Sequence, residues 1–287
     1  MIEANAFFAV FTLQIVIVSV AIPTLFIRYV RVRMTGLPSD RLAQMYPGVD
    51  VGSAQERFLK HYRALNTAIA ALGLLLLGWL FDYMRRPDWD DGPVELLLTI
   101  HFIVAQMLPL ALIGWLGVKF NTKYKRPLPQ GKRTAVLQRR GLFDFVSPFV
   151  VILAVACYFL FAAFVLYLRE HPFPGFAGLV NLVGVTLVYA VQATITYVML
   201  YGKNWNPLDT HEGRLRTIGL AVRCNVYSCI IIVVYLSLNL ALSKAQLQRW
   251  EPFAMSVFFV IIALVASMGY AVPPRQPQAD EMAATRG

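Results

Sequence analysis

Residues 145–168 read FVSPFVVILAVACYFLFAAFVLYL, a stretch without one charged side chain. A hydrocarbon layer about 30 Å thick is crossed by roughly 20 residues of helix. The stretch is long enough, and it lacks the polar face that a helix on a soluble protein presents to water. Six more runs of the same kind flank it, at about 6–27, 64–83, 94–118, 176–201, 218–243 and 252–272. The whole chain is 58% hydrophobic and 15% charged, where a soluble domain carries about 25% charged residues. The expected fold is therefore an all-α integral membrane protein of seven transmembrane helices. They form a single domain over residues 1–272, and 273–287 is a disordered cytoplasmic tail. Too little chain remains for a separate soluble domain.

The net charge is +10. In a soluble protein such a value would raise nucleic acid as a partner. Here the bases alternate between loops, which is how cytoplasmic loops are marked in membrane proteins. The segment after span 1 carries Arg28, Arg31, Arg33, Arg41, Arg57, Lys60 and Arg63. The loop after span 3 carries Lys119, Lys123, Lys125, Arg126, Lys132, Arg133, Arg139 and Arg140, and span 6 is preceded by Lys203, Arg214 and Arg216. The intervening loops hold only Arg85, Arg86, Arg169, Lys244 and Arg249, beside the acidic Asp88, Asp90, Asp91 and Glu95. This pattern predicts an N-terminus outside and a C-terminus in the cytoplasm. It makes the bilayer the partner and excludes nucleic acid.

The leader Met1-Ile2-Glu3-Ala4-Asn5 has an acid and no base, so the first run does not read as a cleavable signal. There is no Asn-x-Ser/Thr sequon, and a bacterial inner membrane is the expected location. Cys224 and Cys229 diverge by about 140° around a helix axis, which argues against a mutual disulfide.

Prolines and caps punctuate the chain. Pro23 falls near the cytoplasmic end of span 1 and predicts a kink. Pro38-Ser39-Asp40 and Tyr46-Pro47-Gly48 bracket a short helix. Ser53-Ala54-Gln55-Glu56 fits a capping box, from which a helix runs unbroken into span 2. Asp209-Thr210-His211-Glu212 repeats that grammar before span 6, and Ser53 lies as far from Glu95 as Asp209 lies from Glu251. A parallel 3+1+3 arrangement, a device of some transporters, follows as a possibility. In the loop 119–143, Val136, Leu137, Leu142 and Phe143 alternate with Lys132, Arg133, Arg139 and Arg140. That mixture suits an interfacial segment on anionic headgroups, with a protein partner at the cytoplasmic face as the alternative.

Polar side chains within apolar spans face the bundle interior. Span 5 carries Asn181, Tyr189, Gln192 and Thr196 near one face; span 6 carries Asn225, Ser228, Tyr235 and Asn239 at helical spacing. Such stripes are either interhelical hydrogen bonds or the wall of a polar pocket. Gln14 and Ser19 on span 1, and His101 and Gln106 on span 3 ahead of Pro109, could join the same interior. A buried histidine can relay protons or pack as a hydrogen-bonded core residue. Asp144, just before Ser147-Pro148, reads as an N-terminal cap, and Asp82 as a partner for Arg85 and Arg86. His61 and His211 are weak metal candidates, because no second ligand stands at fixed spacing from either. Asp88-Trp89-Asp90-Asp91-Gly92 opens like a calcium loop but lacks the closing Glu.

No lysine follows Lys244, so the Schiff base of a retinal protein has no candidate in the last span. Phosphate-loop, dinucleotide and serine-hydrolase patterns are missing too, and no cofactor is called for. Two readings remain. One is a small-solute permease or transport-related protein with a polar pocket between spans 5 and 6, closed by spans 1 and 3. The other is a non-transporting sensor, scaffold or assembly factor that works through its basic cytoplasmic loops. A metal-dependent membrane enzyme ranks third.

Overall fold

A computed structural model describes residues 2–35, 42–44, 46–86, 89, 91–124, 141–202 and 211–271. Among them are seven long helices and no strand. We label them α1 (2–35), α2 (Val51–Tyr83), α3 (91–124), α4 (Pro148–Glu170), α5 (Leu179–Tyr201), α6 (His211–Lys244) and α7 (Glu251–Ala271). Six segments are long and apolar enough to cross a membrane: Glu3–Val32, Val51–Tyr83, Pro148–Glu170, Leu179–Tyr201, Leu215–Lys244 and Gln248–Tyr270. The region expected as the third span is helical throughout, but its apolar segment, Gly92–Met107, is shorter than the six. This inventory is compatible with a multi-pass integral membrane protein. The 273–287 tail, the 125–140 stretch with Lys132, Arg133, Arg139 and Arg140, the Asp209-Thr210 cap and the 36–41 segment lie outside the described residues.

Two helices are not regular. α1 widens into a π-helical segment at Ile17–Ala21, and α3 does so at His101–Met107. Each ends two residues before a proline, Pro23 and Pro109. The physical reason is common to both. A proline has no N–H for the carbonyl four residues back, and its ring collides with that carbonyl in a regular α-turn. The carbonyls concerned, of Ser19 and Ala105, fall inside the π segments. Widening the turn makes room for the ring. Thr24 assists in α1 by donating its hydroxyl proton to the Val20 carbonyl at 2.7 Å. At Pro23, where the sequence predicts a kink, the helix carries a π-helical turn just before the proline.

The cap of α2 lies three residues before the expected capping box. Asp50 is the cap, and its carboxylate accepts from the Ser53 amide at 3.1 Å and from the Ser53 hydroxyl at 2.5 Å. A carboxylate outbids a hydroxyl for the first free amides of a helix. Glu56 is left to form a two-pronged pair with Arg31, at 3.2 and 3.0 Å. From its start α2 continues without interruption to Tyr83, as its sequence implies. At its far end Arg86 pairs with Asp82 at 3.1 Å.

α4 begins at Ser147-Pro148 as expected, but Asp144 does not cap it. Its carboxylate accepts from the Gly141 amide at 2.7 Å and closes the preceding turn, Leu142–Asp144.

The chain divides into two compact units. The first comprises Met1–Phe11, Asp90–Glu95 and Leu137–Gly269. Within it α4, α5 and α6 pack against one another pairwise. Phe161, Val165, Leu168, Val185, Val233 and Leu240 form one core, and Val146, Leu200, Ile218 and Val222 a second. Large apolar side chains also cover the outside: Phe149 is 71% exposed, Leu160 70% and Val180 70%. Water would not tolerate such a face over whole helices, and hydrocarbon does. The second unit comprises Thr12–Trp89, Leu96–Val136 and Tyr270–Gly287. Here α2 packs on α1 and α3, and Phe26, Ile27, Leu59 and Tyr62 form the core at one end. The Phe26 ring meets Tyr62 and Tyr270 edge-on, with centroids 5.3 and 5.1 Å apart.

Candidate functional site

Buried polar side chains of the second unit gather in and beside its two π segments, with Asn66 of α2 apart, its Nδ2 donating to the Tyr62 carbonyl at 2.8 Å. Gln14, one turn before the first segment, is 0% exposed; Ser19 within it is 3%. In the second segment His101 is 4% exposed and Gln106 3%. The side chains join in series. Gln14 Nε2 donates to Gln106 Oε1 at 3.0 Å, and Gln106 Nε2 donates to Ser19 Oγ at 3.3 Å. The series is incomplete at one end, because Gln14 Oε1 is buried and has no hydrogen-bond partner among the described residues. Leaving such an acceptor dry costs about 1–3 kcal/mol. It is the kind of exception that marks a place for water or a ligand.

His101 is pressed against α2. A Cβ on Gly73 would stand 3.1 Å from His101 Nε2 and 3.0 Å from Ile15 Cγ1. Glycine at 73 thus admits both the imidazole of α3 and the isoleucine of α1. Beside His101 a cleft of about 250 Å³ opens between α2 and α3. Its other walls are aliphatic, with Leu72 and Leu76 on one helix and Leu97, Ile100, Val104 and Ala105 on the other.

In the first unit the polar stripes of α5 and α6 are largely engaged in single bonds. Asn225 Nδ2 donates to Thr196 Oγ1 at 3.3 Å, which ties α6 to α5. The Tyr189 hydroxyl turns toward α4 and donates to the Ala154 carbonyl at 2.9 Å. One turn away the Thr186 and Tyr158 hydroxyls meet at 2.9 Å, again between α5 and α4. Tyr235 stacks on Phe258 of α7, with centroids 4.3 Å apart. Ser228 is half-buried. Asn181 Nδ2 and Gln192 Oε1 are buried without a partner among the described residues. The face of α5 that the sequence marks as polar therefore turns in part to α4. Tyr158 and Thr186 do the same work and stand outside the expected set.

Of the weak metal candidates, His61 is exposed and its Nδ1 donates to the Arg57 carbonyl at 2.7 Å. The side chain of His211 lies outside the described residues. Among the described residues no three His, Cys, Asp or Glu side chains gather closely enough to hold a metal. Gly73 is the residue of this site that polarity alone does not disclose. The two prolines are a sequence signal for the π segments, and no pattern in the sequence marks Gly73. No protein-family model, curated protein or solved structure matches the chain.

Proposed function

We propose that the chain is a small-solute permease or transport-related protein of a bacterial inner membrane, and that Gln14, Ser19, His101 and Gln106 form its polar centre. The reading includes seven spans, with α3 as the third, an outside N-terminus and a cytoplasmic C-terminus. The alternation of Lys and Arg between loops supports the orientation. The single observation that carries the site is the buried carbonyl oxygen of Gln14, which has no hydrogen-bond partner among the described residues although its amide is held by Gln106. Within hydrocarbon an unsatisfied polar group is expensive, and such groups accompany solute and ion pathways. The π segments on both sides fit this role, since such insertions gather at functional sites. An amide oxygen, a hydroxyl and an imidazole suit a neutral or weakly polar solute that donates hydrogen bonds. The stripes Asn181, Gln192, Asn225 and Ser228 are a second place for solute contact in the first unit. Asn225 bonds directly to Thr196 between the two helices and, among the described residues, no bond links the four to one another, so they stand below the cluster.

The test replaces Cys157, Cys224 and Cys229 with alanine and places one cysteine at a time at Ser19, Gln192 or Ser228. A membrane-impermeant thiol reagent is then applied to sealed vesicles of both orientations. Reaction at position 19, blocked in a Gln14→Leu background only if the pocket closes, is the expected result. A position 19 that stays unreactive from both sides removes the reading, and reaction at 192 or 228 alone moves the site to α5 and α6.

A further inference from the structure

A second cleft, of about 430 Å³, opens at the other end of the second unit, where α1 and the first turns of α2 converge. Its rim is cationic: Arg31 comes from α1, and Arg57, Lys60 and Arg63 come from α2. Its one acid is Glu56. Both oxygens of Glu56 are already held by the Arg31 guanidinium, at 3.2 and 3.0 Å. That fork offsets the charge of Glu56 against Arg31 and leaves Arg57, Lys60 and Arg63 as the excess positive charge of the lining. Arg57 spends its Nε on the Ser53 carbonyl at 3.4 Å. Among the described residues, Arg57, Lys60 and Arg63 have no carboxylate within ion-pair distance. The floor is apolar, made by Ile27 and Leu59, which are 5% and 2% exposed.

We propose that this cleft binds a phosphate-bearing anion, as the headgroup of an acidic phospholipid or as free phosphate. Charge sorting between loops accounts for cations at this level of the chain. It does not account for their convergence from two helices on one concavity with an aliphatic floor. Guanidinium and ammonium donors are matched to phosphate oxygens. The Ile27 and Leu59 floor suits the carbon chain attached to a lipid phosphate, which favours the lipid source. The proposal rests on the membrane reading and is independent of solute transport.

The experiment uses the full chain purified in mild detergent. Bound lipid is counted by native mass spectrometry after incubation with phosphatidylglycerol or with phosphatidylcholine. Thermal shifts are recorded with phosphatidylglycerol and with inorganic phosphate. The wild type is expected to retain phosphatidylglycerol over phosphatidylcholine. Arg57→Gln and Lys60→Gln are each expected to weaken retention about five-fold. Arg57→Lys should restore most of it, which separates loss of charge from loss of fold. Arg85→Gln with Arg86→Gln, at the opposite end of α2, should change nothing. A shift with phosphatidylglycerol alone assigns the lipid, and a shift with inorganic phosphate as well assigns a soluble ligand. Undiminished binding in the 57/60 variants, an equal loss in the 85/86 variant, or no shift with either phosphate source would overturn the proposal.

Discussion

In α5 and α6 the polar side chains reach their neighbours one at a time. Asn225 meets Thr196, Tyr189 meets a backbone carbonyl, and Thr186 meets Tyr158. In α1 and α3 the polar residues are fewer, more deeply buried and linked in series through Gln106. The first arrangement survives the loss of any member, because each bond is separate. The second does not, because Gln106 is donor to one neighbour and acceptor to another. A long polar stripe whose bonds are separate is therefore weaker evidence of a working site than a short, deeply buried cluster linked through one shared side chain.

The largest effect should come from Gln106→Leu. Two buried groups, Gln14 Nε2 and Ser19 Oγ, lose their partner together, at about 1–3 kcal/mol each. Unfolding by a denaturing detergent in mixed micelles measures the loss. The double variant Gln14→Leu/Gln106→Leu should regain part of it, since removing both partners leaves no orphaned amide. A double variant less stable than Gln106→Leu breaks the view of these two side chains as one unit.

Gly73→Val should follow, at about 1–3 kcal/mol, because side-chain atoms there run into His101 and Ile15. Gly78 on the same helix has open space around it. Gly78→Val is the control, and it should cost clearly less by the same assay. Equal losses at 73 and 78 would mean that helix propensity alone is being read.

Asn225→Leu and Tyr189→Phe should each cost only about 0.6 kcal/mol, the usual worth of a hydrogen bond between membrane helices. Values as large as that of Gln106→Leu would erase the contrast between the two regions.

The smallest effect concerns pH. The Ser53 hydroxyl, and then its amide, hold the Asp50 carboxyl below its ordinary range. A depressed carboxyl contributes stability above its unfolded value and loses it as pH falls through the folded one. The protection of the Ser53 amide, taken relative to its intrinsic exchange rate at each pH, should therefore fall below about pH 4. The bonds of the Gln14–Gln106 cluster join uncharged groups and should show no change over the same range. Protection at Ser53 that is flat with pH would argue against Asp50 as the cap.

Much of this was legible in the amino-acid order. The apolar runs read as seven spans, of which six coincide with helices of membrane length and the third with the shorter apolar segment Gly92–Met107; Ser147-Pro148 marks the start of α4. Asp82 pairs with Arg86, as their proximity implies. The start of α2 was missed by a few residues because Asp50 and Ser53 both suit a cap, and only geometry decides which accepts. Gln14, Ser19, His101 and Gln106 stand out as polar residues in apolar helices, yet nothing local says that residues 14 and 106 touch. The π segments are invisible to a reading in turns of 3.6 residues. Pro23 and Pro109 carry the signal, but a proline announces a disturbance without saying whether the helix bends or widens. The direction of Tyr189 toward α4 was hidden for a related reason. A stripe on one helix defines a face and does not choose which neighbour it meets.

α2 is the contrast to both of its neighbours. Its 33 residues form one α-helix without a π segment, a strut of about 50 Å, against a hydrocarbon layer of about 30 Å. Such a strut protrudes unless it leans steeply. The turns bearing Glu56, Arg57 and Lys60 stand at one end of this strut, and Gly73 lies further along it. The cationic cleft and the wall behind His101 thus share one unbroken helix, with no π segment between Glu56 and Gly73.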